Sequence, residues 1–166
     1  MLLRVPLPNL YKEIIMSQNP ENKCAQLWNN EETDEALKDR WDNTEADFLD
    51  DIFTMQKSLQ ERYNKDPALG SLRERTNSMM QHKIFMDAEF TELIERLPFK
   101  TWKNYPNELE ADFLDEEHKL ECWYEWVDMF HFFINIGLAL GIDAKSAFKL
   151  YYTKNKENFD RQDRGY

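Results

Sequence analysis

Apolar positions recur along this chain with the period of an α-helix. Over residues 45–64, Phe48, Leu49, Ile52, Met55 and Leu59 fall at i, i+3 and i+4, predicting a first helix with these five as its core-facing stripe. Asp66, Pro67 and Gly70 end it. A second helix is predicted over 71–97, with Leu72, Met79, Met80, Ile84, Ala88 and Leu93 as candidate core residues. Ser71 and Glu74 have the spacing of a capping box at its start, and Pro98 closes it. Residues 99–107, between Pro98 and Pro106, read as a loop, and the acidic stretch 108–117 as helical in part. The third helix, 118–140, is the most apolar segment and is expected to be central. Gly141 stands where a helix-ending C′ glycine belongs, and Asp143 can cap a fourth helix over 144–158.

Composition supports this picture. Four Gly and six Pro in 166 residues leave little material for the tight turns of a β-sandwich. A hydrophobic content of 42%, with 14% aromatics, gives a real core despite 32% charged residues. No internal repeat is visible. The expected architecture is all-α: one helical bundle-like domain over 45–166, preceded by a polar lead-in and N-terminal extension over 1–44. No stretch of about 20 apolar residues is present, so no membrane span is expected. Residues 1–16 lack the long apolar run and small-residue cleavage site of a signal peptide. Met16 is instead a candidate native start, because Lys12-Glu13 can be encoded by a ribosome-binding sequence.

The formal net charge of -11 disfavours a nucleic-acid-binding surface. It is compatible with a nucleotide site in which divalent cations bridge carboxylates to phosphates. Cys24 and Cys122 lack CxxC spacing and a nearby histidine pair, so both are expected as reduced thiols rather than zinc ligands or a disulfide.

Two carboxylate pairs carry the candidate chemistry. Glu89 and Glu92 lie three apart in the second predicted helix, and Glu125 and Asp128 three apart in the third. That spacing puts each pair on one helix face, and two such helices face to face would gather four hard oxygen ligands for Mg²⁺. More than one ion could neutralise a triphosphate and activate water. A lone ExxE in an acidic protein is ordinarily a solvated face, but Glu125 and Asp128 sit among Trp123, Trp126, Val127, Phe130, Phe132 and Phe133. His131 and Asn135 continue that face. By composition they read as a satisfied core histidine and a helix–helix hydrogen bond. As an extension of the carboxylate face they are candidates for sugar or base contacts. Gln56 and Gln60, four apart, read ordinarily as an exposed polar stripe. Functionally, a glutamine amide complements uracil in one orientation and cytosine in the other. At the C-terminus, Lys154, Asn158 and Arg161 share a face if the helix continues, and suit phosphate oxygens.

The ordered set ExxE at Glu89–Glu92, ExxDxxHF from Glu125 to Phe132, and KNxxNxxRQxxGY from Lys154 to Tyr166 resembles the dimeric all-α dUTPases of the NTP pyrophosphatase superfamily. FKLYYTKNKENFDRQDRGY and MQKSLQERY resemble more closely the phage branch that acts on both dCTP and dUTP. The resemblance covers roughly residues 45–166. It implies Glu89, Glu92, Glu125 and Asp128 as catalytic Mg²⁺ ligands, and Lys154, Asn158 and Arg161 as phosphate contacts. Gln56, Gln60, His131 and Asn135 would line the nucleoside pocket. Trp102, Lys103, Asn155, Gln162 and Tyr166 are further candidates. It implies a homodimer in the cytoplasm of an infected bacterium that hydrolyses dCTP and dUTP, with their diphosphates, in a phage nucleotide-synthesis setting. The alternatives are a strict dUTPase, a non-enzymatic acidic DNA mimic and a structural dimerisation module. Activity on dCTP separates the first, and response to Mg²⁺ and nucleotide the other two.

Overall fold

The computed structural model describes residues 47–165 together with Glu35. The N-terminal extension with Met16 and Cys24, the start of the first predicted helix, and Tyr166 lie outside the described residues. Within the described residues 47–165, five helices follow in order: α1 (Phe48–Arg62), α2 (Leu72–Glu95), α3 (Asn107–Ala111), α4 (Glu116–Ala139) and α5 (Ala144–Asp163). Among the described residues there is no strand. The fold is all-α. No single described helix is long and apolar enough to cross a membrane.

Local chemistry sets the helix ends. Asp47 caps α1 by accepting from the Asp50 amide at 3.0 Å. The capping box forms as expected: the Ser71 amide donates to Glu74 Oε2 at 2.7 Å, and the Glu74 amide to Ser71 Oγ at 3.3 Å. At the end of α4, Gly141 takes φ +78°. Its amide reaches Leu138 O at 2.9 Å and the Ile142 amide reaches Gly137 O at 2.9 Å, the paired bonds of a Schellman ending. Asp143 then caps α5 through the Ser146 amide at 2.8 Å. The fourth predicted helix stops short: α5 continues to Asp163, because nothing after Asn158 breaks it before Gly165.

The described chain forms two compact units, 87–129 and 47–86 with 130–165. In the second, Phe53, Ile134 and Ala144 make the buried centre, with Leu49, Ile52, Phe130, Leu138, Ile142 and Ala147 packed on it. In the first, Leu109, Leu120 and Cys122 are buried.

Two expected core stripes need correction. On α1, Leu49 and Ile52 pack inward, but Phe48, Met55 and Leu59 are exposed. The face that turns in is Phe53, Gln56 and Gln60. A stripe drawn through apolar residues cannot anticipate buried amides, which are tolerated once hydrogen-bonded. On α2 no residue is buried, and Leu72, Met80 and Ile84 are 58–64% exposed. One chain supplies no cover for that side of the helix.

Candidate functional site

Within the unit 87–129, Glu89 on α2 meets Glu125 and Asp128 on α4. One carboxylate oxygen of each lies within 4.8 Å of the others. The helical spacing of three between Glu125 and Asp128 aims both at the same place, as expected. Glu92, the fourth candidate, is exposed and stands outside this trio, a partial departure from the four-carboxylate expectation. It still acts electrostatically. Glu89's pKa is raised, first by desolvation, then by the charges of Glu92, Asp128 and Glu125, and by a hydrogen bond with Glu125. The cluster therefore holds more negative charge than it can comfortably carry, and its donors are all hard carboxylate oxygens. That donor set fits Mg²⁺ or a similar divalent cation.

Arg96, one turn beyond Glu92, was not among the expected site residues. Its Nε and Nη2 donate to Glu125 Oε1 at 3.1 and 2.7 Å, and its Nη1 to Glu121 Oε2 at 2.7 Å. All three side chains are largely buried. Burial by itself would lower Arg96's pKa, but the hydrogen bond to Glu125 and the charges of Glu121 and Glu125 outweigh it and hold the pKa above its ordinary value. His118 secures the same corner. Its Nδ1 accepts from the Leu114 amide at 3.2 Å, so its Nε2 carries the proton and donates to Arg96 O at 3.1 Å. Cys122 is a free, buried thiol whose pKa burial pushes up to about 11. It is not a nucleophile at neutral pH. Beside these groups lies an apolar cleft of about 570 Å³, lined by residues including Leu93, Leu97, Leu120, Trp123 and Trp126.

In the other unit, three of the four nucleoside-pocket candidates come together. Gln56 is 4% exposed and Asn135 1%. Gln56 Nε2 donates to Asn135 Oδ1 at 2.8 Å, and His131 Nδ1 donates to Gln56 Oε1 at 2.6 Å. This links α1 to α4 and includes the helix–helix bond anticipated for Asn135. Reversing both amides and the imidazole tautomer would reverse the chain of bonds, so the network tolerates either orientation of Gln56. Gln60, one turn on, is also buried, so neither glutamine belongs to an exposed polar stripe.

The tail candidates share α5. Lys154, Asn158 and Arg161 are exposed there, as are Asn155 and Gln162. Arg161 Nε pairs with Glu157 Oε1 at 3.0 Å, and Arg164 Nη2 shares that oxygen at 3.1 Å. Trp102 and Lys103 lie in the expected loop, Trp102 at 81% exposure and Lys103 Nζ 5.5 Å from the Tyr105 ring centroid.

Comparison with known proteins places these residues in context. The family model described as dUTPase matches residues 48–149. The dCTP pyrophosphatase of Enterobacteria phage T4 is 36% identical over 170 residues, covering 87% of this chain and 98% of that protein. The chain belongs to the dUTPase family. As a dUTPase-family member it is an enzyme, a nucleotide pyrophosphatase. The dCTP pyrophosphatase of Enterobacteria phage LZ5 is 48% identical over 71 residues, 41% of each chain. A T4 protein named DNA replication protein is 34% identical over 160 residues, 81% of this chain and 40% of that protein. No solved structure matches. The match over 48–149 takes in Gln56, Gln60, the four carboxylates, Arg96, His131 and Asn135. Lys154, Asn158 and Arg161 lie beyond it.

Proposed function

We propose that this dUTPase-family chain hydrolyses dCTP to dCMP and dUTP to dUMP with release of pyrophosphate, using Mg²⁺, as a homodimer in a phage-infected bacterium. The diphosphates dCDP and dUDP are further substrates in this reading. The observation that carries it is the cluster of Glu89, Glu125 and Asp128, with one oxygen of each within 4.8 Å. Phosphoryl transfer asks a protein for positioning and charge neutralisation more than for covalent chemistry. Bound by these carboxylates, Mg²⁺ would neutralise the polyphosphate and increase the electrophilicity of the reacting phosphorus.

The chain's own groups have distinct tasks. A glutamate of this cluster would take the proton from the attacking water. Lys154, Asn158 and Arg161 offer donors to phosphate oxygens from one helix face. Arg161 must exchange Glu157 for its substrate contact. The Gln56–His131–Asn135 network supports acceptance of both pyrimidines, because its bonds can run in either direction. A dCTPase name on two relatives supports dCTP as a substrate. The apolar faces left uncovered on α2 and α4 support a second copy.

The test is pyrophosphate release in Mg²⁺ from dCTP, dUTP, dTTP and dATP. Turnover of dCTP and dUTP is expected, with loss in EDTA. Turnover of dUTP alone would reduce the reading to a strict dUTPase.

A further inference from the structure

We propose that Arg96 is a positioning residue that restricts Glu125 to one ligating oxygen and so sets the site's preference for Mg²⁺ over Ca²⁺. The inference rests on the metal reading of the carboxylate cluster. The Arg96 contacts are asymmetric. Nε and Nη2 both fall on Oε1 of Glu125, at 3.1 and 2.7 Å, and Oε2 lies outside this pairing. Nη1 is held at 2.7 Å by Glu121 Oε2, one helical turn back on α4. The guanidinium is thus fixed from two sides. The side chains of Arg96, Glu121 and Glu125 are 17%, 8% and 12% exposed, so water does little to loosen the fork. His118 adds a third restraint, by donating to the Arg96 carbonyl at 3.1 Å.

An oxygen that accepts two charge-assisted hydrogen bonds in a largely buried setting has little capacity left for a cation. Glu125 therefore offers one oxygen. Mg²⁺ takes carboxylates singly in a small octahedron, whereas Ca²⁺ takes six to eight oxygens and readily uses a carboxylate through both. Denying the second oxygen of Glu125 disfavours the larger ion. If Arg96 merely offset negative charge, lysine would serve equally, since it carries the same charge. What lysine lacks is the planar fork that spans Glu121 and Glu125 together.

The experiment is isothermal titration calorimetry of the full chain with Mg²⁺ and, separately, Ca²⁺, for wild type and Arg96→Lys. The Ca²⁺-to-Mg²⁺ affinity ratio is expected to rise in the variant on the order of tenfold, the scale of losing a residue that orients a metal ligand. An unchanged ratio in a folded variant overturns the proposal, even if both affinities fall. Should Arg96→Lys not fold, Glu121→Gln frees the guanidinium on one side. A smaller rise in the same direction supports the proposal, and an unchanged ratio overturns it. Wild type that binds neither cation would remove the metal reading itself and this inference with it. Wild type that binds Mg²⁺ with an insensitive ratio removes only the role given to Arg96.

Discussion

Glu89 shows what the carboxylate cluster does to a single residue. Its pKa is raised from an ordinary 4.5 by desolvation, and further by the charges of Glu92, Asp128 and Glu125. An acid whose pKa is higher in the fold than in the unfolded chain favours the fold while protonated. That contribution is fully present below 4.5 and is lost as pH rises through the raised value. In EDTA, Glu89→Gln should therefore melt above wild type at neutral pH, with the gap closing as pH falls towards 4.5. Thermal melts across a pH series check this, and a gap independent of pH would contradict it. Glu125 and Asp128 were legible as a pair because a spacing of three on a helix fixes a common face, whereas for Glu89 the same spacing pointed to Glu92, which stands outside the trio. Arg96 and His118 were not. Arg96 pairs with groups 25 and 29 residues away, and in a chain with 32% charge an arginine carries no local sign of such a partner. Gln56 was legible as chemistry but not as burial, since only its bonds to His131 and Asn135 make the interior tolerable for an amide.

The helix ends followed from local rules, and the helix faces did not. Ser71, Glu74, Gly141 and Asp143 each act within a few residues, so their roles could be stated from spacing and are found in the structure. Gly141 offers a direct check. At φ +78° an added Cβ would meet nothing within 4 Å, so Gly141→Ala should incur only the backbone penalty. The expected loss is about 1 kcal/mol by chemical denaturation. A neutral substitution would mean that the ending of α4 does not depend on the left-handed residue. The inward face of α1 is a tertiary outcome. Phe53, Gln56 and Gln60 are buried where Phe48, Met55 and Leu59 were expected, because the apolar stripe is wide and the neighbours choose its centre. For α2, the expected core residues include none that is buried, and Leu72, Met80 and Ile84 are more than half exposed in one chain.

At the scale of the molecule, those uncovered positions matter most. Leu72, Met80 and Ile84 on α2 and Trp126 and Phe133 on α4 are all more than half exposed. Monomeric proteins rarely leave so much apolar surface in water. Sedimentation velocity should give twice the mass of one chain, and a monomer at micromolar concentration would contradict the proposed homodimer. The all-α class was legible because the helical period and the scarcity of glycine and proline agree. In the proposed function, Glu89, Glu125 and Asp128 gather the cation for cleavage of a pyrimidine deoxynucleoside triphosphate. Product analysis of dCTP by phosphorus NMR, for wild type and Glu125→Gln in Mg²⁺, tests it most directly. Wild type should give dCMP and pyrophosphate, and a folded Glu125→Gln variant should leave dCTP intact. Intact dCTP with folded wild type in Mg²⁺, or equal turnover by Glu125→Gln, would contradict it.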